Sequence, residues 1–322
     1  VKHKLRGGKM KNIYSAIKVT DNVYWVGAID WTIRDFHGYT TPHGSTYNAY
    51  LIIADKITLI DTVKAPFKDE MLARIKSVVE PSEIKYIISN HSEMDHSGCL
   101  MEIIDMIKPE KAFASTIGVK TLKELFHDKH EIIPIKDGET LSLGNMELTF
   151  METRMIHWPD SMFTYLAKDE LLFSQDAFGM HLATLQRFDN EIDAAVLEFE
   201  AATYYANIVL PYSSIVLKAL DKVAQAGWNI KVIAPDHGPV WRKDIGRIIE
   251  LYKKWASQKP TNKAVVIYAT MWHSTEKMAR AISESLAEAG IGVKLLSMNE
   301  FHRSQAAYEI LDAGALLAGS ST

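Results

Sequence analysis

Cysteine is nearly absent from this chain: Cys99 is the only one among 322 residues. A lone thiol excludes an internal disulfide and a thiolate metal cluster built by this chain, and it is expected to pack on the helix that follows it. Long apolar runs are missing too. No stretch of about 18 apolar residues occurs, so no membrane-spanning helix is expected. Charge of one sign is also lacking, with 36 Lys and Arg against 40 Asp and Glu and a net charge of −4, which gives no general electrostatic reason to bind nucleic acid. The start "VKHKLRGGKMKN" is basic with no apolar segment behind it, unlike a secretory signal. A cytoplasmic protein is expected, with Val1 to Lys9 read as a leader ahead of Met10. There is no internal repeat or low-complexity segment, and no G-x-G-x-x-G fingerprint of a dinucleotide site.

What the chain does have is a dense group of metal-ligand side chains. The stretch "SNHSEMDHSG" packs His91, Glu93, Asp95 and His96 into six residues after the apolar run "IKYII". Residues two apart on an extended segment face the same way, so His91 and Glu93 converge on one centre while the following turn aims Asp95 and His96 at a second. Further candidates end other strand-like runs: His157 in "IHWPDSM", Asp176 in "LLFSQDAFG" and His237 in "IAPDHGP". Spacings of 66, 19 and 61 residues between them are too long for a local finger and suit loops gathered at one sheet edge. A single aspartate, Asp176, is able to bridge two ions. Related loops that hold zinc for hydrolysis carry histidine where Glu93 stands. A harder, carboxylate-containing set with open positions suits iron redox chemistry, so iron is the metal expected. His127, His130, His181 and His302 are read as ordinary histidines, and Trp158 as a wall of the site.

Around these residues "VYWVGAI", "YLIIAD", "KITLIDT", "IKYIIS", "KAFAS", "MELTFMET", "LLFSQD" and "KVIAPDHG" read as strands. "KDEMLARIKSVV" and "SSIVLKALDKVAQAG" read as helices, which makes a mixed α/β unit over residues 10–256. The polar, proline-containing stretch 257–263 reads as a linker. Over 264–322 the strands "AVVIYAT", "GVKLLSM" and "ALLAGSST" alternate with a helix from Ser274 to Ala289 and a short one near Ala306 to Ala313. That βαβαβ pattern is the opening half of a doubly wound parallel sheet. The loop "YATMWHSTEKMA" puts Thr270, Ser274 and Thr275 at a strand-to-helix turn, where backbone N–H groups hold phosphate. With the dinucleotide fingerprint missing, the expected ligand is a mononucleotide such as FMN.

Taken in order, "NHSEMDHSG", "HWPDSM", "SQDAFG", "APDHGP" and "TMWHSTEKMA" resemble the flavodiiron proteins from Ile13 to the end of the chain. The resemblance implies a metallo-β-lactamase-like αββα sandwich followed by the first half of a flavodoxin-like sheet. It assigns His91, Glu93 and His157 to one iron, Asp95, His96 and His237 to the other, and Asp176 to both. His96 is the ligand that water replaces in some members. "RDFHGY" and "TYYANI" resemble segments near the diiron pocket, so His37 and Tyr204, rather than Tyr205, are expected beside it. The FMN set expected is Thr270, Met271, Trp272, His273, Ser274 and Thr275, with Ser320 and Thr322. "GSST" at Gly319 to Thr322 departs from the family's usual proline after the first serine, and the family's flavodoxin domain continues further, so this chain is expected to be a fragment that holds FMN weakly.

The activity implied is reduction of dioxygen to water, of nitric oxide to nitrous oxide, or both, with electrons passed through FMN. Rubredoxin or another separate donor is implied, since one cysteine cannot build a fused rubredoxin-type centre. A head-to-tail homodimer, alone or as a dimer of dimers, is implied as well. The alternatives are a zinc-dependent hydrolase on the same scaffold, which Glu93 and the FMN-type loop oppose, and a non-catalytic metal-binding remnant.

Overall fold

Short, near-continuous apolar runs dominate the first two thirds of the chain, and they form two stacked sheets whose central strands are buried throughout. The computed structural model describes residues 14–127 and 130–321. The expected leader, residues 10–13 and Thr322 lie outside the described residues.

The first region opens with short strands β1 (Ile17–Lys18), β2 (Val23–Trp25), β3 (Ala28–Asp30), β4 (Asp35–Phe36), β5 (Tyr39–Thr40) and β6 (Ser45–Tyr47). It continues through β7 (Tyr50–Ile52), β8 (Thr58–Ile60), α1 (Lys68–Lys76), β9 (Tyr86–Ser89), α2 (Met94–Ser97) and α3 (Leu100–Ile107). Next come β10 (Lys111–Ser115), α4 (Thr116–Phe126), β11 (Ile132–Ile135), β12 (Thr140–Ser142), β13 (Glu147–Glu152), β14 (Met162–Leu166) and β15 (Leu171–Gln175). The region closes with α5 (Ala194–Tyr204), α6 (Ser213–Ala226), β16 (Val232–Pro235) and α7 (Ile245–Ala256).

One sheet runs β1-β2-β7-β8-β9-β10-β11 and the other β12-β13-β14-β15-β16. Ile52, Ile60, Ile88, Phe113, Phe150, Phe173 and Ala234 fill the space between them. Outside the first sheet, Met71 and Ile75 of α1 and Ile103 and Ile104 of α3 cover Leu59 and Ile87. Outside the second, α5, α6 and α7 cover Leu172 and Ile233 through Leu197, Val216, Ile248 and Tyr252. The αββα sandwich follows from these continuous apolar strands, because each sheet has two apolar faces to bury.

The second region contains β17 (Lys263–Tyr268), α8 (Ser274–Glu288), β18 (Gly292–Ser297), α9 (Arg303–Ile310) and β19 (Ala315–Gly319). Its strands pair in parallel in the order β18-β17-β19, the start of a flavodoxin-like sheet. The run "VYWVGAI" is broken into β2 and β3, which pair with different strands, β7 and β6, and at the break a side chain at Gly27 would meet the Tyr47 carbonyl at 2.3 Å. α9 begins at Arg303, three residues before the start read from sequence: the His302 side chain accepts from Ser304 N, and Gln305 reciprocates onto His302 N. Histidine is an unusual cap, which hid this start. β1, β4, β5, β6, β11, β12, β14 and helices α4, α5 and α7 carry no mark strong enough to be singled out beforehand, whereas α3 is the helix expected after Cys99.

Candidate metal centre and flavin loop

Hydrogen bonds from outside the cluster set the shape of the ligand loop. At the end of β8, Asp61 accepts from Asn90 N at 2.7 Å and from Asn90 Nδ2 at 3.0 Å. Thr164 on β14 donates to Asn90 Oδ1 at 2.5 Å. Ser92 donates to Asp160 Oδ2 through both N and Oγ, each at 2.6 Å. Glu93 then stands at the N-terminus of α2, so the expected turn is a single helical turn carrying Asp95 and His96. Gly98 closes it, because a Cβ there would meet the Met94 carbonyl at 2.3 Å.

Partner loops are fixed just as firmly. Gln175 donates through Nε2 to Ile156 O at 2.5 Å and accepts from Asp176 N at 2.6 Å, so one side chain ties the backbone before His157 to Asp176. His237 Nδ1 donates to the Thr46 carbonyl at 2.6 Å, which leaves Nε2 for the interior.

Two separate groups and one that overlaps both result. His91, Glu93, His157 and Asp176 each offer a ligand atom within 4.8 Å of one another, and so do Asp95, His96 and His237; His37 forms the overlapping set with Glu93 and Asp95. Asp176 faces both. Its Oδ2 lies 2.8 Å from His157 Nε2 and 3.4 Å from His91 Nε2, while Oδ1 lies 3.2 Å from His96 Nε2 and 3.4 Å from His237 Nε2. Glu93 Oε2 is 3.2 Å from His91 Nε2, and Asp95 Oδ2 is 3.1 Å from His237 Nε2.

Burial penalises charge on all of these side chains, yet mutual attraction prevails for most of them. Burial lowers the affinity of His91 for a proton, but Asp160, Asp176 and Glu93 carry its pKa well above the ordinary imidazole range. His96 is raised in the same way, against burial, by Asp95 and Asp176. Asp95 and Asp176 fall well below the usual carboxylate range, because neighbouring imidazoles outweigh burial. Even so, Asp95 Oδ1 and Oδ2, His96 Nε2 and Asp176 Oδ1 are buried without a hydrogen-bond partner among the described residues, while His91 Nδ1 and His96 Nδ1 point away from the cluster, to Asp160 at 3.5 Å and Asp236 at 3.6 Å. Each such atom costs about 1–3 kcal/mol unless something meets it. Lone pairs converging on two points fit two cations of mixed histidine and carboxylate ligation.

One wall consists of rings. β4 and β5 form a hairpin whose tip residue His37, at φ 54°, brings Nδ1 to 3.1 Å from Glu93 Oε1. Tyr204 lies 6.1 Å, ring to ring, from His237. Tyr205 turns away to Ser213 and Tyr252. Trp158 meets His91 edge-on at 5.3 Å. The residue missed from sequence is His181. It is buried, 4.5 Å from His237 and 5.1 Å from Tyr204, with Nδ1 on Ser45 Oγ at 2.7 Å and Nε2 without a hydrogen-bond partner among the described residues. Burial, reinforced by His237 and His37, pushes its pKa well below the usual imidazole range, so it stays neutral. It occupies an irregular stretch, where no periodicity marks an inward side chain. The other three histidines lie elsewhere: His127 ends α4, His130 meets Asp105 at 3.1 Å and His302 caps α9. Cys99 is buried ahead of α3 and donates to Val63 O at 3.1 Å.

In the second region, β17 leads into the exposed residues Met271, Trp272 and His273, with His273 at φ 62°, and then into α8. The first-turn N–H groups of α8 and the buried, unpartnered Thr270 Oγ1 suit a phosphate. Gly319 closes the cradle, since a Cβ there would lie 2.9 Å from Thr275 Cγ2. Ser320 is exposed, and its hydroxyl donates to the Ser321 carbonyl.

Residues 46–238 match the ODP family beta lactamase model, and residues 266–322 match the flavodoxin model. The chain is 46% identical over 309 residues to the nitric oxide reductase of Moorella thermoacetica, spanning 95% of this chain and 77% of that protein. It superposes on rubredoxin oxygen:oxidoreductase from Desulfovibrio gigas with a TM-score of 0.94 at 47% identity, covering 96% of this chain and 78% of the other. The flavodiiron protein of Giardia intestinalis superposes with a TM-score of 0.91 at 35% identity, covering 96% of this chain and 76% of the other. With its two ligand groups at the mouth of a β-lactamase-like sandwich and a phosphate-type loop on a flavodoxin-like sheet, the chain belongs to the flavodiiron proteins.

Proposed function

We propose that this oxidoreductase reduces dioxygen to water, nitric oxide to nitrous oxide, or both, and that it does so in the cytoplasm with rubredoxin or another separate donor. The observation that carries the reading is Asp176, one buried carboxylate with an oxygen toward each ligand group. His91, Glu93 and His157 would hold one iron and Asp95, His96 and His237 the other, with Asp176 available to both. Two irons and an FMN, when bound, supply redox equivalents and open coordination positions for a multi-electron reduction. Three carboxylates in the ligand set favour iron over zinc and oppose a hydrolase.

The chain's own residues do the rest. The Thr46 carbonyl keeps a proton on His237 Nδ1 and so presents Nε2 inward. Inner ligands His91, His96, Asp95, Asp176 and His237 are at most 3% exposed, whereas the His157, Glu93 and His37 side chains reach 10%, 12% and 24%. Small molecules therefore enter past His37. Tyr204 and neutral His181 line the inner wall and exclude water. Thr270, Met271, Trp272, His273, Ser274 and Thr275 would hold the flavin phosphate, and the set expected from sequence also includes Ser320 and Thr322, the latter outside the described residues. The working division is 10–256 for the metal unit, 257–263 for the connector and 264–322 for the flavin unit. A head-to-tail homodimer, alone or paired into a tetramer, delivers flavin to the metal unit of its partner.

Anaerobic purification followed by metal and flavin analysis and turnover with each gas tests this reading. Two irons per chain and gas consumption with a reduced donor are expected. A zinc-loaded protein that hydrolyses an ester and consumes neither gas would overturn it.

A further inference from the structure

The hairpin that carries His37 is too small to hold its own shape. Its strands have two residues each, paired Asp35 with Thr40 and Phe36 with Tyr39, around a His37-Gly38 loop with both φ values positive, 54° and 73°. Such a turn matches the strand twist, but a two-stranded ribbon of this length is not stable alone in water. On its inner side Phe36 and Tyr39 pack on His181 at 5.3 and 5.5 Å, and His37 meets Glu93.

Its outer side is held by the other unit of the molecule. Arg303, the first residue of α9, donates through both Nε and Nη2 to the Gly38 carbonyl, and it forms no ion pair among the described residues. The next residue, buried Ser304, shares a 2.7 Å hydrogen bond between its Oγ and Thr40 Oγ1. The Ser304 carbonyl accepts from Asn207 Nδ2 at 3.2 Å, in the π-helical stretch Tyr205–Val209 that directly follows Tyr204. Farther along α9, Tyr308 packs on Phe199 of α5 at 4.9 Å, and Leu311 just beyond the helix joins the core cluster of the metal unit. α9 thus belongs to the flavodoxin-like sheet by chain order and to the wall of the metal site by contact.

We propose that α9 is a clasp through which the flavin unit positions the outer wall of the metal site, with Arg303 acting as a positioning residue for His37. A charge-assisted pair of bonds onto one carbonyl fixes the tip of the hairpin, and the Thr40–Ser304 bond fixes its base. Any shift of the flavin unit against the metal unit then moves His37 relative to Glu93. This inference rests on the proposed function only for the role of His37 at the entrance, since the clasp itself is a matter of backbone protection.

Hydrogen–deuterium exchange on the full chain tests it without metal, flavin or gas. In Arg303→Ala the amides of residues 35–41 should exchange about tenfold to a hundredfold faster, the range that corresponds to losing a hydrogen bond to a charged group. β17 and the rest of α9 should keep the protection of the parent. Arg303→Lys, which retains charge but only one point of contact, should fall between the two. Diethyl pyrocarbonate should modify His37 faster in Arg303→Ala than in the parent. Lys294→Ala, which removes the 3.4 Å pair with Glu309 near the other end of α9, should leave residues 35–41 unchanged. Unchanged exchange at 35–41 in Arg303→Ala would overturn the clasp. So would equal acceleration throughout the second unit, because Arg303 would then support that unit and not the hairpin. Neither result bears on which gas is reduced.

Discussion

The two units build their sites in opposite ways. In the metal unit the chemistry lies beneath the surface: Asp176 is 2% exposed and His96 1%, and each ligand loop is tied by hydrogen bonds that do not involve a ligand atom. In the flavin unit Trp272 is 83% exposed and Met271 69%, and the site consists of backbone N–H groups at a helix start. The cores differ in the same sense. Between the sheets of the first unit lie large rings such as Phe150 and Phe173, whereas Val265, Leu296 and Ala306 make one small cluster in the second and Val266, Tyr268 and Ala279 the other. A cation site must be preset in a rigid frame, because stray distances of half an ångström lose a ligand. A phosphate site needs only a free helix end and room for the ligand.

The strongest way to break this contrast is to empty the buried site through the residue shared by both groups. Asp176→Ala should lose both irons, from two per chain to near zero, and not one of the pair. Elemental analysis of anaerobically purified protein checks this, and a full metal complement would show that Asp176 is not shared. Next in size is the frame itself. Phe173→Ala, at a side chain fully buried between the sheets, should cost about 3–5 kcal/mol in denaturant unfolding followed by near-ultraviolet circular dichroism. A cost below about 1 kcal/mol would mean that the frame is looser than its packing implies.

In the open site, Thr270→Val keeps the shape and removes the hydroxyl, so FMN affinity measured by fluorescence titration should fall about tenfold, as expected for losing one bond to a charged group. Equal affinity would leave the phosphate to backbone donors alone. The smallest effect expected is one of selectivity. Glu93→His exchanges an anionic ligand for a neutral one and should raise the zinc-to-iron ratio several-fold when both metals are offered at equal supply. A variant that loads iron as selectively as the parent would remove ligand hardness from the account.

Much of this was legible before any coordinates. The ligand types, their places after strand-like runs and the βαβαβ pattern near the end follow from periodicity and residue chemistry. Strands such as β9 and β17 stand out because β-branched and aromatic residues fill them. β4, β5 and β14 do not, since two or five residues without clear alternation carry no period to detect. His181 was passed over for the same reason: an irregular segment has no inward face until its neighbours are in place.

By itself, then, the sequence determined which side chains can bind metal and which turn can bind phosphate, because these are properties of residue type and local order. Only the tertiary structure decided how they are grouped. Asp176 faces two clusters because Gln175 ties its backbone to the loop of His157, 19 residues away in the chain. Arg303 reads as one more solvated charge until α9 lies across the His37 hairpin, 265 residues away at Gly38. Contacts of that separation depend on sheet pairing and helix docking, and no local pattern encodes them.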